Sequence, residues 1–300
     1  MDYSKTTEIF GKFVDIKFND CIPKGKKQTF HERALTLYIH INKICNAKCD
    51  FCNVHKQKSS KVEFDYNKLT EVLMALIRMN KLGRIAITGG ETFFDIDVLD
   101  NVLLIIKQLV EKPIVTINTN ASMLNKIYQL KNIDVLTEIR ISRHHYLDEK
   151  NDSIFRTKSA TLSDISDAVK TYGGIIKLNC NLIKGYIDNT VEISNYLDTV
   201  CKIGILQVGF VGLMPFNKYC IDHYVDYTKF QFPDNYLHVY NLHDRNICQC
   251  DNYLYFPKEI SEIMQIYFRQ VHKLECNYCR QLSYSYDNKF TEGFGGKVIY

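Results

Sequence analysis

The chain has 300 residues, 46% hydrophobic and 12% aromatic, with a formal net charge of +4. That length and apolar content suit one barrel-sized domain with at most a small appendage. The mildly basic balance excludes the dense Lys/Arg footprint of a nucleic-acid binder, and the longest purely aliphatic run, Val102 to Ile106, is far too short to span a bilayer.

The first residues, Met1-Asp2-Tyr3-Ser4-Lys5, are polar and lead into no export signal. The 11 cysteines therefore read as metal or redox ligands of a cytoplasmic protein, not as disulfides, and neither nucleic acid nor membrane is an expected partner. Residues 1–33 read as a polar, irregular extension in which Lys24, Lys26 and Lys27 form a solvated cluster.

From Ala34 the pattern becomes regular. An apolar strand, Leu35 to Ile39, runs into Cys45, Cys49 and Cys52 at the spacing C-x3-C-x2-C. Three thiolates on so short a loop can reach three irons of one [4Fe–4S] cluster and leave the fourth open to a small chelating ligand. A structural zinc knuckle, with His55 as fourth ligand, is the alternative.

Asp65 then caps a helix with Leu69, Val72, Leu73, Leu76 and Ile77 on one face, and Arg84 to Thr88 is a buried strand closed by Gly89-Gly90. A helix built on Leu99, Val102, Leu103 and Ile106 follows. Ile114 to Asn118 is a strand, Ser122 to Gln129 a helix, and Glu138 to Ser142 a strand. Leu162, Ile165 and Val169 mark a helix, Ile175 to Leu182 a strand, Asp188 a helix start, and Ile203 to Phe210 a sixth strand. Six βα units imply parallel strands with helical crossovers, hence an α/β fold, with chemistry at the carboxyl ends of the strands. After Met214-Pro215 the rhythm breaks. Residues 216–300 read as a small second domain with a helix from Lys258 to Val271.

C-x3-C-x2-C followed by a strand ending in Thr88-Gly89-Gly90-Glu91 resembles the radical S-adenosylmethionine (SAM) superfamily. Taken alone, Gly89-Gly90 is an ordinary strand-to-helix turn. Over residues 34–292 the chain is similar to the GTP 3′,8-cyclase family of molybdenum-cofactor biosynthesis. The similarity rests on Thr119-Asn120-Ala121 (Thr-Asn-Gly there), Ile141-Ser142, Ile176-Lys177-Leu178-Asn179, Lys184-Gly185 with Asp188-Asn189, Gly212-Leu213-Met214-Pro215, and Cys276-x-x-Cys279-Arg280-x-Leu282.

The resemblance implies a partial (β/α)6 radical SAM barrel over residues 34–215 and a small C-terminal auxiliary iron–sulfur cluster domain, of twitch type, over 216–300. It implies that Phe51, Gly89, Gly90, Glu91, Asn120, Ser142, Asn179 and Met214 bind SAM, with Glu91 accepting from its ammonium, and that Lys177 faces substrate. An electron from the cluster, supplied by a reductant such as flavodoxin or ferredoxin, would cleave SAM to a 5′-deoxyadenosyl radical that abstracts hydrogen.

Departures from the cyclase are equally informative. Gln281 and Ser283 stand where that family has two triphosphate-holding arginines, Tyr38 stands near another, and no cysteine lies near Gly293. A triphosphate needs its charge matched, so GTP is disfavoured. Cys248 and Cys250 can replace the missing ligand and join Cys276 and Cys279 around a second [4Fe–4S] cluster. Alternatively, Cys248, Cys250 or Cys220 is a free thiol that returns a hydrogen atom to the substrate radical, whereas Cys180 reads as core. His144 and His145, in the run Arg143 to Glu149, belong either to a substrate-reading cluster or to a solvated loop.

The expected function is a radical SAM enzyme that epimerises, cross-links or oxidises a peptide or sugar-like small molecule. Only 33 residues precede the first barrel strand, so a peptide is expected to bind without the leader-binding domain common in peptide-modifying relatives. The alternatives are a cyclase-like molybdenum-cofactor enzyme and, from another class, a non-catalytic iron–sulfur or zinc protein.

Overall fold

The computed structural model describes residues 4–17, 35–52, 63–79, 82–232, 236–241, 252–257, 264–270, 281–293 and 296–300. The chain opens with a hairpin, β1 (Ser4–Ile9) and β2 (Lys12–Lys17), where an irregular segment was expected. Phe10 and Gly11 both have positive φ, 52° and 69°, the pair of conformations a tight two-residue hairpin needs. Ile9 and Val14 enter the main core, and Phe10 stacks on Tyr300 with ring centroids 4.2 Å apart. The hairpin is thus pinned by packing against the far end of the chain.

The six anticipated βα strands are present: β3 (Leu35–His40), β4 (Leu82–Thr88), β5 (Ile114–Thr119), β6 (Glu138–Ser142), β7 (Ile176–Leu182) and β8 (Gln207–Gly212). They lie side by side, all parallel, in sequence order. Helices α1 (Tyr66–Arg78), α2 (Ile96–Lys107), α3 (Asp148–Phe155), α4 (Leu162–Tyr172) and α5 (Thr190–Cys201) make the connections, followed by the short α6 (Lys218–Asp222). Asp65 caps α1 through the Lys68 amide, as its position suggested, while α5 is capped by Asn189 rather than Asp188. The helix expected over Ser122 to Gln129 is a 3-10 helix, Leu124–Gln129. None of the described helices is long and apolar enough to cross a membrane.

Beyond residue 215 the described strands continue the same sheet. β11 (Gln265–Gln270) pairs parallel to β8 and carries antiparallel β10 (Asn252–Pro257) and β9 (Tyr236–Asn241). β12 (Gln281–Tyr284) pairs parallel to β3 at the opposite edge, with β13 (Phe290–Glu292) outside it. Where a helix was expected from 258 to 271, residues 265–270 form a strand. Met264, Ile266 and Phe268 are buried while Arg269 is exposed, a period of two that suits pairing with Val208 and Phe210.

That alternation divides the sheet into two faces. Leu37, Ile85, Ile117, Ile139, Leu178 and Phe210 meet the helices in one core. The other face presents polar side chains, and at its centre lies Glu138. Its carboxylate accepts from Arg140 at 2.6 Å, Lys177 at 2.7 Å and Arg84 at 3.2 Å, three neighbours drawn from β6, β7 and β4. A flat sheet would hold β3 and β11 about 29 Å apart, six strand spacings. Yet Arg269 of β11 is within electrostatic reach of Tyr38 of β3, so the sheet is not flat.

Burial alone would raise the Glu138 pKa, but the charges of Arg140, Lys177 and Arg84 outweigh it and bring the carboxyl to about 2. The group thus contributes stability above its unfolded value of 4.5, and loses it as pH falls toward 2. Glu138→Gln is expected to destabilise the fold by about 3 kcal/mol at pH 7. In urea unfolding, the gap between variant and wild type should close as pH drops through that window; a gap independent of pH would contradict the assignment.

Candidate active site

The cysteine loop starts where β3 ends. Ile41 donates to Thr88 O at 3.0 Å, so pairing with β4 persists one residue beyond the strand. The next residue, Asn42, binds the following turn in three ways. Its carbonyl and its Oδ1 accept from Gly90 N at 3.1 and 3.2 Å, and its Nδ2 donates to Glu91 O at 3.0 Å. Glu91 N donates to Ile44 O at 2.7 Å. A Cβ at Gly90 would strike the Ile44 carbonyl, and one at Gly89 the Asn42 carbonyl. Glycine is required because two backbones meet here.

Cys45, Cys49 and Cys52 are free thiols, Cys49 buried and the others half-buried. Cys52 N bonds to Cys49 O at 3.1 Å, which curls the loop into a turn. Burial pushes the Cys49 thiol up to about 12, and the neighbouring Cys52 and Cys45 add to the rise. Cys45 is raised chiefly by burial, against hydrogen bonds from the Ala47 backbone and Asn120. Three thiols so close resist ionising together unless cationic metal lies among them. Among the described residues no three His, Cys, Asp or Glu side chains are arranged around a single ion. A cuboidal iron–sulfur cluster meets each thiolate at a different iron and requires no such convergence.

Neighbouring elements buttress this loop, mostly through residues the sequence reading passed over, Asn120 excepted. Lys48 N donates to Phe155 O at 2.9 Å, and Arg156 pairs with Asp50. Asn217, the cap of α6, donates to Asp50 O at 2.9 Å. Asn120 Nδ2 stands 3.6 Å from Cys45 Sγ and 3.4 Å from Asn46 Oδ1, and Ser122 also bonds Asn46 at 3.0 Å. Only the cap preference of Asn217 gave a local signal; the other contacts span up to 107 positions of chain.

Glu91 has a structural task of its own. It is 0% exposed, and Oε1 accepts from Thr119 Oγ1 at 2.6 Å and Phe93 N at 2.9 Å while Oε2 accepts from Asn120 N at 2.8 Å. Burial still pushes its pKa up. With three donors from the protein on its two oxygens, the carboxylate ties β4 to β5. The next turn explains another departure: Ala121, where glycine was the resembling residue, has φ +60°.

The other anticipated residues divide into three groups. Ser142 closes β6, Asn179 pairs beside it from within β7, and Met214 follows β8, all three half-buried, and Phe51 sets its ring edge-on to His144 at 5.2 Å. Arg143, His144 and His145 are buried rather than solvated. Arg143 donates to Ala160 O and Tyr146 O at 3.0 and 3.2 Å, His144 Nδ1 accepts from Asn181 N, and His145 Nδ1 from Leu147 N, both at 3.0 Å. Burial lowers the pKa of His144 to about 3 and of His145 to about 4. They stiffen the turn after β6 as neutral rings. Lys177 is held by Glu138. Cys180 is fully buried, and Cys220 is packed among Ile154, Ile183 and Leu213 with its Sγ 3.6 Å from Phe51 O. A thiol so enclosed supports the cysteine loop and has no open side toward a substrate. His55, Cys248, Cys250, Cys276 and Cys279 lie outside the described residues.

With this geometry in view, comparisons with known proteins place the chain. The sequence model of the radical SAM superfamily matches residues 39–197, just over half of it. A GTP 3′,8-cyclase from Alkaliphilus metalliredigens is 27% identical over 199 residues, 64% of this chain and 60% of the cyclase, so the chain spans less than two thirds of that relative. The crystal structure of Streptococcus suis SuiB superposes with a TM-score of 0.54 over 86% of this chain and 59% of SuiB, at 14% identity. SuiB bound to its precursor peptide SuiA gives 0.50 over 62% of this chain and 41% of SuiB, at 18% identity. At such identities these structures establish shared fold alone.

Two stability measurements test the site's construction. Glu91→Ala leaves three buried donors unanswered and should cost about 3 kcal/mol in denaturant unfolding of the chain, with Glu91→Gln intermediate. Normal stability with a loss confined to SAM affinity would overturn the tie between β4 and β5. Ala121→Gly relieves a left-handed alanine and should raise stability by about 1 kcal/mol, read as a higher urea midpoint.

Proposed function

The chain belongs to the radical SAM superfamily and is an enzyme of that class, and from this premise we propose that it abstracts hydrogen from a peptide or sugar-like substrate, to epimerise, cross-link or oxidise it. The observation that carries the reading is the C-x3-C-x2-C loop bonded to Gly89-Gly90-Glu91 at the carboxyl end of a parallel sheet. The superfamily implies a [4Fe–4S] cluster and SAM, for which Cys45, Cys49 and Cys52 are the fitting ligands. When bound, cluster and SAM supply a 5′-deoxyadenosyl radical.

The chain's own residues do the positioning. Asn42, Glu91 and Asn120 hold the loop and its thiols in place. Phe51, Gly89, Gly90, Asn120, Ser142, Asn179 and Met214 line the SAM side in this proposal, while the polar sheet face, curled as a partial barrel over residues 34–215, receives substrate. Residues 216–300 would carry a second [4Fe–4S] cluster on Cys248, Cys250, Cys276 and Cys279, or leave one of the first two as a hydrogen-donating thiol. A cytoplasmic enzyme fed by flavodoxin or ferredoxin completes the proposal.

The peptide class draws support from SuiB, whose bound partner is a precursor peptide. The cyclase reaction is disfavoured. Gln281 and Ser283, opposite Thr36 and Tyr38 on the polar face, stand where the cyclase branch has its two triphosphate-holding arginines.

Anaerobic reconstitution should give about eight irons per chain, in two four-iron clusters. Replacing Cys45, Cys49 and Cys52 together with Ala should leave about four and abolish SAM cleavage. Zinc in place of iron, or unaltered cleavage, would overturn the reading. Cys248→Ala and Cys250→Ala then discriminate within it: lost iron marks a ligand. Full iron with turnover stalled after hydrogen abstraction marks the donor thiol, which would place one deuterium in product formed in D2O.

A further inference from the structure

We infer that the polar face of the sheet is an anion-binding site, in which Arg269, Arg140, Arg84 and Lys177 receive a carboxylate or phosphate group of the substrate. The inference rests on the reading of that face as the substrate side and names the chemistry of what binds there.

All four groups project from the same face of the sheet, and Arg269 comes within electrostatic reach of Arg140, Arg84 and Glu138. Arg140 pairs directly with Lys177 across β6 and β7, and Arg269 lies opposite Val211 on β8. Neighbouring Tyr267 lies opposite Gly209, whose Cβ position is occupied by Asn179 Oδ1, so this side of β8 and β11 faces the same space as Asn179. Arg84 enters from β4 with a side chain 32% exposed.

The charge does not balance. Arg84, Arg140 and Lys177 share the single carboxylate of Glu138. Arg269 adds a fourth cation. Burial disfavours its charge, the nearby Arg140 and Arg84 oppose it further, and Tyr38 and Glu138 only partly offset them. Arg269 is nevertheless reached by water, as a guanidinium inside a broad recess would be. Among the described residues, four cations against one carboxylate on a face open to solvent favour an anion over a neutral ligand. The fork of an arginine suits the two oxygens of a carboxylate or phosphate alike. These cations come from β4, β6, β7 and β11, not from the edge positions 281 and 283.

Titration calorimetry on the reconstituted, SAM-bound enzyme at low salt tests this, with inorganic phosphate and succinate as separate probes. One of them should bind with a dissociation constant of roughly 1 mM or tighter, and which one does so identifies the group. Arg269→Gln should weaken that binding roughly tenfold, and Arg269→Lys should largely preserve it, with iron content and thermal midpoint unchanged in both. Binding of neither probe, or binding indifferent to Arg269→Gln, overturns the inference. Iron content and SAM cleavage are measured on the same samples, so failure of the enzyme reading registers separately.

Discussion

The carboxylate of Glu91 has no access to water, and the rest of the site depends on how its charge is answered. An uncompensated buried carboxylate costs several kcal/mol. Three donors meet it, from Phe93, Thr119 and Asn120, so the turn after β4 is locked to the end of β5. The amide of Glu91 reaches Ile44, and Asn42 grips its carbonyl, so the same residue fixes the loop after β3. Three strand ends are thereby set relative to one another before any cofactor binds. Asn120 passes the constraint on to Cys45, and the glycines permit the contact distance that makes it possible.

A second constraint acts on the other side of the strands. In a closed eight-stranded barrel, branched side chains fill the interior as a core. Here that face carries Arg84, Glu138, Arg140, Lys177 and Arg269, while the apolar set Leu37, Ile85, Ile117, Ile139 and Leu178 lies under the helices. Glu138 keeps three of the cations from repelling one another outright, and its depressed pKa measures that work. The helices supply the hydrophobic stabilisation, so the polar face is not needed for the apolar core.

Polar residues near the site proved structural more often than their composition implied. Arg143, His144 and His145 stand at a strand's carboxyl end, where ligand contacts are common, yet each is buried and bonded mainly to backbone, with Arg143 Nε and His145 Nε2 left without a hydrogen-bond partner. Cys220 is likewise a packing thiol under Phe51. Local sequence distinguishes a buried polar turn from a solvated one poorly, because the decision lies with α3, α4 and the 157–161 segment that fold over it.

The parallel strands from residue 35 to 212, helices α1, α2, α4 and α5 between them and the cysteine spacing next to Gly-Gly-Glu followed from the sequence alone, whereas α3 did not. Hydrophobic period, caps and ligand spacing are short-range properties, and a strand followed by a helix and another strand has few ways to pack. The tertiary structure alone decided which edge each late strand joins: β11 beside β8, and β12 beside β3 some 240 residues earlier in the chain. It also decided that residues 265–270 extend as a strand, that Glu91 faces Thr119 and that Arg269 comes within reach of Glu138. Each of these outcomes joins residues far apart in sequence. Their energies come from partners that local periodicity does not encode, namely an unpaired strand edge, a buried charge needing donors and cations gathered on one face of a curled sheet.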